Sequence, residues 1–146
     1  MLGRRLEYKG SFNDIAIFDD YAHHPTEIKA TCNALNNKVF HESWVIFQPH
    51  TYSRTKNLLD DFAIALSNFD HIIIADIYAA REANTYGVSS KDIVERINST
   101  RTLNHCEYIS DFKDIVSYVK EHAKPKDIIL TLGAGNVTDI GPMILK

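Results

Sequence analysis

The sequence predicts an α/β protein built on a six-stranded, mostly parallel sheet with one antiparallel strand and helices on both faces. Two patterns carry this. The chain opens with two short strand-like runs joined by turn residues, and four apolar runs then alternate with stretches of helical periodicity, the βαβ rhythm of a parallel sheet. Length sets the scale: 146 residues at 45% apolar content suffice for one globular domain with a single core, expected over residues 1–146, and are too few for two of ordinary size.

Arg4 to Tyr8 and Ile15 to Asp19 read as strands, separated by Gly10-Ser11-Phe12-Asn13, whose Gly and Asn supply turn chemistry, so an antiparallel hairpin is expected. Ile28, Cys32 and Leu35 then repeat at helical intervals after Pro25, whose fixed backbone angle suits a helix's first turn, where its missing N–H costs nothing. Strand-like runs follow at Trp44 to Phe47, Ile72 to Ile77, Cys106 to Ile109 and Ile128 to Leu132. Between them lie helical stripes: Leu58, Leu59, Phe62, Leu66 and Phe69; Ile93 and Ile97, with Ser89 and Ser90 as caps; and Phe112, Ile115, Val116 and Val119, closed by Pro125. Apolar residues at this spacing are core and receive no functional role. A last helix is expected from about Val137, with Pro142 limiting its continuation. The longest loop, Ala79 to Val88, follows a strand and is expected to border a site. Taken in order, the elements describe a three-layer, Rossmann-like domain.

Composition excludes several classes of function. Sixteen basic against 19 acidic residues give a formal charge of −3, with no basic run dense enough for nucleic acid or a membrane surface. Cys32 and Cys106 are widely spaced and outside any Cys-x-x-Cys pattern, so they read as buried reduced thiols rather than as a disulfide framework or structural zinc. No apolar run approaches the roughly 18 residues of a membrane span, and the start lacks the regions of a signal peptide. A soluble, cytoplasmic protein is expected.

The densest chemistry lies in Asp19-Asp20-Tyr21-Ala22-His23-His24-Pro25-Thr26-Glu27-Ile28, where a carboxylate pair, a phenol and two imidazoles sit between a strand and a helix. In an open α/β sheet the crevice beyond the strand ends is where ligands bind, and the free amides of the following helix favour anionic groups. This stretch resembles the Asp-Tyr-x-His-x-Pro signature of the Mur ligase superfamily, ATP-dependent enzymes that join an amino acid to a carboxylate. Gly3-Arg4-Arg5-Leu6-Glu7 resembles the start of that family's third domain, Phe47-Gln48-Pro49-His50-Thr51-Tyr52-Ser53-Arg54-Thr55 its substrate segment, and Leu132-Gly133-Ala134-Gly135-Asn136 its closing glycine turn. Order and spacing match best the members that add L-alanine to UDP-N-acetylmuramate in peptidoglycan precursor synthesis. The resemblance spans essentially the whole chain but only the carboxy-terminal third of such an enzyme. No Gly-x-x-x-x-Gly-Lys-Ser/Thr occurs, although a phosphate-cradling loop of that kind is needed to hold the transferring phosphoryl group. The amino-terminal UDP-binding and central ATPase domains are therefore expected to lie outside this chain, with Mg²⁺ held there, and the isolated domain is expected to be catalytically silent.

The resemblance assigns roles residue by residue. Asp20 would meet the ATP ribose, since a carboxylate accepts from both vicinal hydroxyls; a turn or capping role is the plain alternative. Asp19 is expected to be structural. Arg5 would reach the transferring phosphate, where a guanidinium matches the geometry and steadies developing charge; a solvated strand-edge arginine is the alternative, which Arg4 fits better. Tyr21 and His23, two apart on extended chain, share a side and would form a small half-apolar pocket for alanine, with His23 also expected, with Arg5, as a catalytic residue, while His24 faces away and holds the loop. His50 and Arg54 would bind the alanine carboxylate, Arg54 bidentately. Arg54 could instead pair with Asp60 or Asp61. Thr51 stands where some family members carry a second arginine. Gly133-Ala134-Gly135 is weak as a phosphate turn because Thr138 replaces the third small residue, and it is expected to let backbone pass close to the last helix.

In the implied reaction ATP phosphorylates the lactyl carboxylate of UDP-N-acetylmuramate, and the alanine amine attacks the acyl phosphate and expels phosphate. Three rivals are weighed beside it: a superfamily member that recycles murein tripeptide, a free-standing nucleotide-binding module without catalysis, and a metal hydrolase using His23, His24 and His50. Neither of the last two accounts for all four matched segments.

Overall fold

A computed structural model describes residues 5–146, so Gly3 and Arg4 of the opening motif lie outside the described residues. The chain runs β1 (Glu7–Phe12), β2 (Ile15–Asp20), α1 (Pro25–Leu35), β3 (Ser43–Phe47), α2 (Tyr52–Asn57), α3 (Leu59–Leu66), β4 (His71–Ile74), α4 (Ser90–Asn98), β5 (Glu107–Tyr108), α5 (Phe112–His122) and β6 (Ile128–Leu132). A 3₁₀ turn (Asn136–Asp139) and α6 (Ile140–Leu145) close it. The six strands form one sheet in the order β1-β2-β6-β3-β4-β5, antiparallel between β1 and β2 and parallel elsewhere, the fold class the sequence predicts.

Strands inside a parallel sheet are covered on both faces and so read as continuous apolar runs. β3, β4 and β6 divide their alternate side chains between two cores. Val45, Phe47, Ile72, Ile74, Leu130 and Leu132 pack with Ile28 and Leu35 of α1, Phe62 and Leu66 of α3, and Ile93 and Ile97 of α4. Trp44, Ile46, Ile73 and Ile129 pack with Ile115 and Val119 of α5 and Ile140 and Ile144 of α6. Nearly all are fully buried, each contributing about 1.5–3 kcal/mol. Cys32 and Cys106 are buried free thiols in the first of these cores.

Four local expectations need correction. The hairpin turn is Asn13-Asp14, both in the left-handed region (φ 51° and 63°), which suits a two-residue turn whose twist matches its strands. Gly10, Ser11 and Phe12 belong to β1 instead; Gly10 (φ 140°) lies where the register with β2 shifts, packed close under Leu145. A separate short helix, α2, precedes α3, with Leu58 as the break between them. β4 ends at Ile74 rather than Ile77, and β5 keeps only two residues. Pro142 falls in the first turn of α6, where it costs no hydrogen bond, so it starts that helix rather than ending it.

The register fixes the place of the chemistry. Asp20 of β2, Leu132 of β6 and Phe47 of β3 are level across the sheet, so the loops beginning at Tyr21, Gly133 and Gln48 leave its carboxyl edge side by side.

Candidate functional site

Asp20, Tyr21, His23 and His50 lie at the end of β2 or on these loops, Arg54 on the short α2 that follows the Gln48 loop, and Arg5 just before β1. Asp20 ends β2 with its carboxylate almost wholly buried: Oδ1 accepts from the Ala22 amide (2.8 Å) and Oδ2 from the Leu6 amide (2.8 Å). It thus performs the turn role weighed as the plain alternative, and it also ties the segment before β1, where Leu6 sits at φ 48°, to the signature loop. The Arg5 side chain is about half exposed, its Nε 4.0 Å from the same Oδ2. Asp19 accepts from the Thr131 hydroxyl (2.6 Å) inside the sheet, as expected of a structural residue.

The loop after Asp20 is shaped by capping. His24 is the N-cap of α1, its Nδ1 accepting from the Thr26 amide, and Glu27 reaches back to the amides of His23 (3.2 Å) and His24 (3.1 Å). Burial works against ionisation of Glu27, but those amides and the nearby His23 and Arg5 hold its carboxyl below the ordinary range. His24 is thereby turned away, as the sequence implies, and Tyr21 and His23 face one cavity of ≈ 220 Å³ with Arg5, Ala22 and Glu27. Larger clefts, such as one of ≈ 560 Å³ along α3 and α4, hold none of the predicted site residues.

An aromatic row joins this cavity to the substrate segment. The Tyr21 and His23 rings meet edge-on at 5.4 Å, His23 and His50 at 5.7 Å, and His50 stacks on Tyr78 at 5.6 Å with 13° between planes. Arg54 Nη1 lies 3.3 Å from His50 Nδ1, so the predicted pair comes together; Asp60 pairs with Arg96 instead. Burial pushes the His50 pKa down, the nearby His23 and Arg54 charges add to that, and Glu82 opposes it, which leaves the ring neutral at pH 7. A neutral ring accepting the Arg54 N–H at Nδ1 carries its own proton on Nε2.

Thr51 sets the geometry of this segment. It caps α2 in an extended left-handed conformation (φ 67°, ψ 148°) that a β-branched residue adopts only when its surroundings dictate it. Those surroundings are the Tyr78 carbonyl, which accepts the Thr51 amide (2.8 Å), and the Thr55 hydroxyl, which donates to the Thr51 carbonyl (2.7 Å).

The glycine turn serves Gln48. A Cβ on Gly135 would lie 2.5 Å from Gln48 Oε1 and 2.6 Å from the Tyr78 ring, and Gly133 (φ 149°) passes the Gln48 carbonyl so closely that a Cβ would sit 2.9 Å from it. This close approach lets Gln48 accept from the Val137 amide (3.1 Å) and donate to Asn136 (2.7 Å), fastening the substrate segment to the start of the closing 3₁₀ turn. The backbone approach is legible in the sequence; its partner is not.

Sequence reasoning marks the Ala79–Val88 loop as bordering the site but assigns none of its residues. Glu82 accepts from both the amide (2.9 Å) and the hydroxyl (2.6 Å) of Ser53, and Tyr78, just before the loop, walls His50. Among the described residues, the metal-ligating side chains close enough to share an ion are His41, Glu42 and Asp127 at the opposite edge of the sheet, not the three histidines of the hydrolase rival. No helix among the described residues is long and apolar enough to cross a membrane.

Residues 4–135 match the family described as "Mur ligase, glutamate ligase domain". The chain is 51% identical over 144 residues to the UDP-N-acetylmuramate--L-alanine ligase of Agathobacter rectalis, covering 98% of this chain and 31% of that protein. Its fold is similar to the murein peptide ligase of Psychrobacter arcticus (TM-score 0.80, 26% identity, 98% and 29% coverage) and the UDP-N-acetylmuramate-alanine ligase of Thermotoga maritima (TM-score 0.75, 23% identity, 97% and 29%). The chain spans about a third of the length of the curated relatives it matches.

Proposed function

The chain belongs to the Mur ligase family, and from that premise we propose that it is the amino-acid- and ATP-contacting carboxy-terminal domain of an enzyme that adds L-alanine to UDP-N-acetylmuramate through an acyl phosphate. The observation that carries this is the Arg54–His50 pair set beside the Tyr21–His23 cavity. A fixed guanidinium takes the carboxylate of a free amino acid and so aims its amine. A neutral His50 adds no positive charge where an ammonium must lose its proton before attack. A cavity of ≈ 220 Å³ suits a small side chain better than a peptide.

The rest of the reaction divides by residue. Arg5, about half exposed beside Asp20, is free to meet the transferring phosphoryl group. Each oxygen of Asp20 accepts one amide and keeps a second lone pair, but the carboxylate is buried, so a ribose hydroxyl reaches it only if the Arg5–Leu6 segment moves aside, which domain closure over ATP would bring about. The phosphate-cradling loop and the Mg²⁺ ligands belong to the remainder of the enzyme, so the chain alone neither holds the metal nor turns over. Closure would also keep water from the acyl phosphate. Two buried, unpaired thiols fit the reducing interior of a cell and support a cytoplasmic enzyme.

A second reading, a ligase for murein peptide, is favoured by the slightly higher structural likeness to the Psychrobacter enzyme. Identity of about half to curated L-alanine ligases favours alanine. The test mixes this chain with the separately expressed remainder of the enzyme and measures amino-acid-dependent phosphate release with L-alanine and with murein tripeptide. Turnover with alanine that disappears in Arg54→Ala supports the proposal. Turnover with tripeptide alone transfers the assignment to the second reading, and tight nucleotide binding with no turnover turns it to a binding module.

A further inference from the structure

We propose that Glu82, acting through Ser53, is the positioning residue that fixes Arg54 for the amino-acid carboxylate; this rests on the alanine-site reading above. The helix that carries Arg54, α2, has six residues, too few to be stable by itself. Its first amides need acceptors from outside the helix. Thr51 supplies one only weakly, its hydroxyl 3.4 Å from the Arg54 amide. Glu82, 29 residues along the chain, supplies the short ones, to the Ser53 amide and hydroxyl.

The loop is strained to deliver that carboxylate. Ala80 and Arg81 are consecutive left-handed residues (φ 51° and 72°), a conformation unfavourable for non-glycine residues that persists only where the surroundings fix it. The turn they make is closed by the Glu82 amide on the Ala79 carbonyl (3.0 Å). Just upstream, the Tyr78 amide donates to Pro49 and the Tyr78 carbonyl accepts from Thr51, both at 2.8 Å. One loop therefore holds both ends of the turn from His50 to Arg54. The Ser53 hydrogen bonds keep Glu82 ionised below the ordinary carboxylate range, and its charge acts on both Arg54 and His50. Both carboxylate oxygens accept from Ser53, and an anion is repelled by the substrate carboxylate, so Glu82 works on that carboxylate through Arg54 rather than by touching it.

The test uses the full-length ligase carrying Glu82→Gln, Ser53→Ala or both. By analogy with the outer-shell partners that orient metal ligands, worth about 10–100-fold when removed, KM for L-alanine is expected to rise about tenfold in each single variant. kcat and KM for ATP should stay within about twofold, and the double variant should be no worse than the more affected single one, because both act on one linkage. An unchanged KM for alanine, a general fall in kcat, or additive effects overturn the proposal. A second measurement does not depend on turnover: in ¹H–¹⁵N spectra of the 146-residue chain the Ser53 amide should follow the Glu82 titration, and Glu82→Gln should abolish this and broaden the Arg54 Nε–H signal. If the wild-type ligase shows no alanine-dependent turnover, the alanine reading fails, while a Ser53 amide that ignores Glu82 refutes the positioning linkage itself.

Discussion

Asp127→Asn is the substitution whose cost can be worked most closely from the structure. The Asp127 carboxylate is buried at the amino edge of the sheet, just before β6, and four donors meet it. Oδ1 accepts from His41 Nδ1 (2.7 Å) and the Glu42 amide (3.2 Å), and Oδ2 from Trp44 Nε1 and the Lys124 amide (both 2.9 Å). An asparagine keeps one acceptor oxygen. Its better orientation serves buried Trp44 and the Lys124 amide and turns the NH₂ toward His41, which is half exposed and can accept by changing tautomer. Two bonds then lose their charge assistance and the Glu42 amide loses its partner, for a total of about 3 kcal/mol. For a chain of this size that lowers Tm by about 6–12 °C. Trp44 is the only tryptophan and stacks on His71 at 4.2 Å, so its emission reports both the unfolding and the local change. Burial opposes ionisation of Asp127, but the Lys124 amide, His41 and Trp44 outweigh it and hold the folded pKa below the ordinary 3.8. A depressed folded pKa stabilises above the unfolded pKa and is lost as pH falls through the folded one, so the gap between wild type and variant should be full above about pH 4 and shrink below it. A Tm within about 2 °C of wild type at pH 7, or a gap that widens with acid, refutes the reasoning.

Other outcomes can be checked on the same chain. Gly133→Ala forces a side chain onto a left-handed backbone 2.9 Å from the Gln48 carbonyl and should cost about 2–5 kcal/mol in denaturant unfolding; a loss under about 1 kcal/mol would mean that the turn relaxes freely. His50 should titrate below 6.5 by NMR, moving up toward 6.5 in Arg54→Ala and further down in Glu82→Gln, and a midpoint at or above 6.5 in the wild type contradicts the partly buried neutral ring. Burial pushes the Cys106 thiol up to about 12, so it should resist thiol reagents at pH 8 until the protein unfolds, and rapid labelling of the native chain would count against the packing of that core.

The strands and long helices are legible because burial on two faces writes itself into the sequence as apolar runs and stripes. β3, β6, α1 and α4 begin and end within a residue or two of where their patterns do. What escapes is set by partners distant in sequence. Gly10 carries turn chemistry, yet its left-handed φ serves a register shift against β2 and contact with Leu145, while Asn13-Asp14 makes the turn. α2 is too short for any periodicity to register. Ile77 extends the strand-like pattern past Asp76, but the ladder with β3 stops at Ile74 because Phe47, its last partner, gives way to the Gln48 loop.

The candidate site divides along the same line. Tyr21, His23, His50 and Arg54 converge as the motifs imply, since each motif follows a strand whose carboxyl end the parallel register brings level with its neighbours. Asp20 and Glu82 show what motif spacing omits. The signature aspartate is buried and already accepts from the amides of Leu6 and Ala22, so a ligand reaches its Oδ2 only by displacing the segment leading into β1 that covers it. Binding at Asp20 and the posture of that segment are then linked by a single carboxylate, and the linkage is reciprocal: whatever stabilises the Leu6 bond weakens the ligand by the same factor. Asp20→Asn tests it. If the carboxylate is only a turn cap, the variant loses stability and any nucleotide affinity stays put; if it is shared, affinity and the Leu6 amide shift must change together.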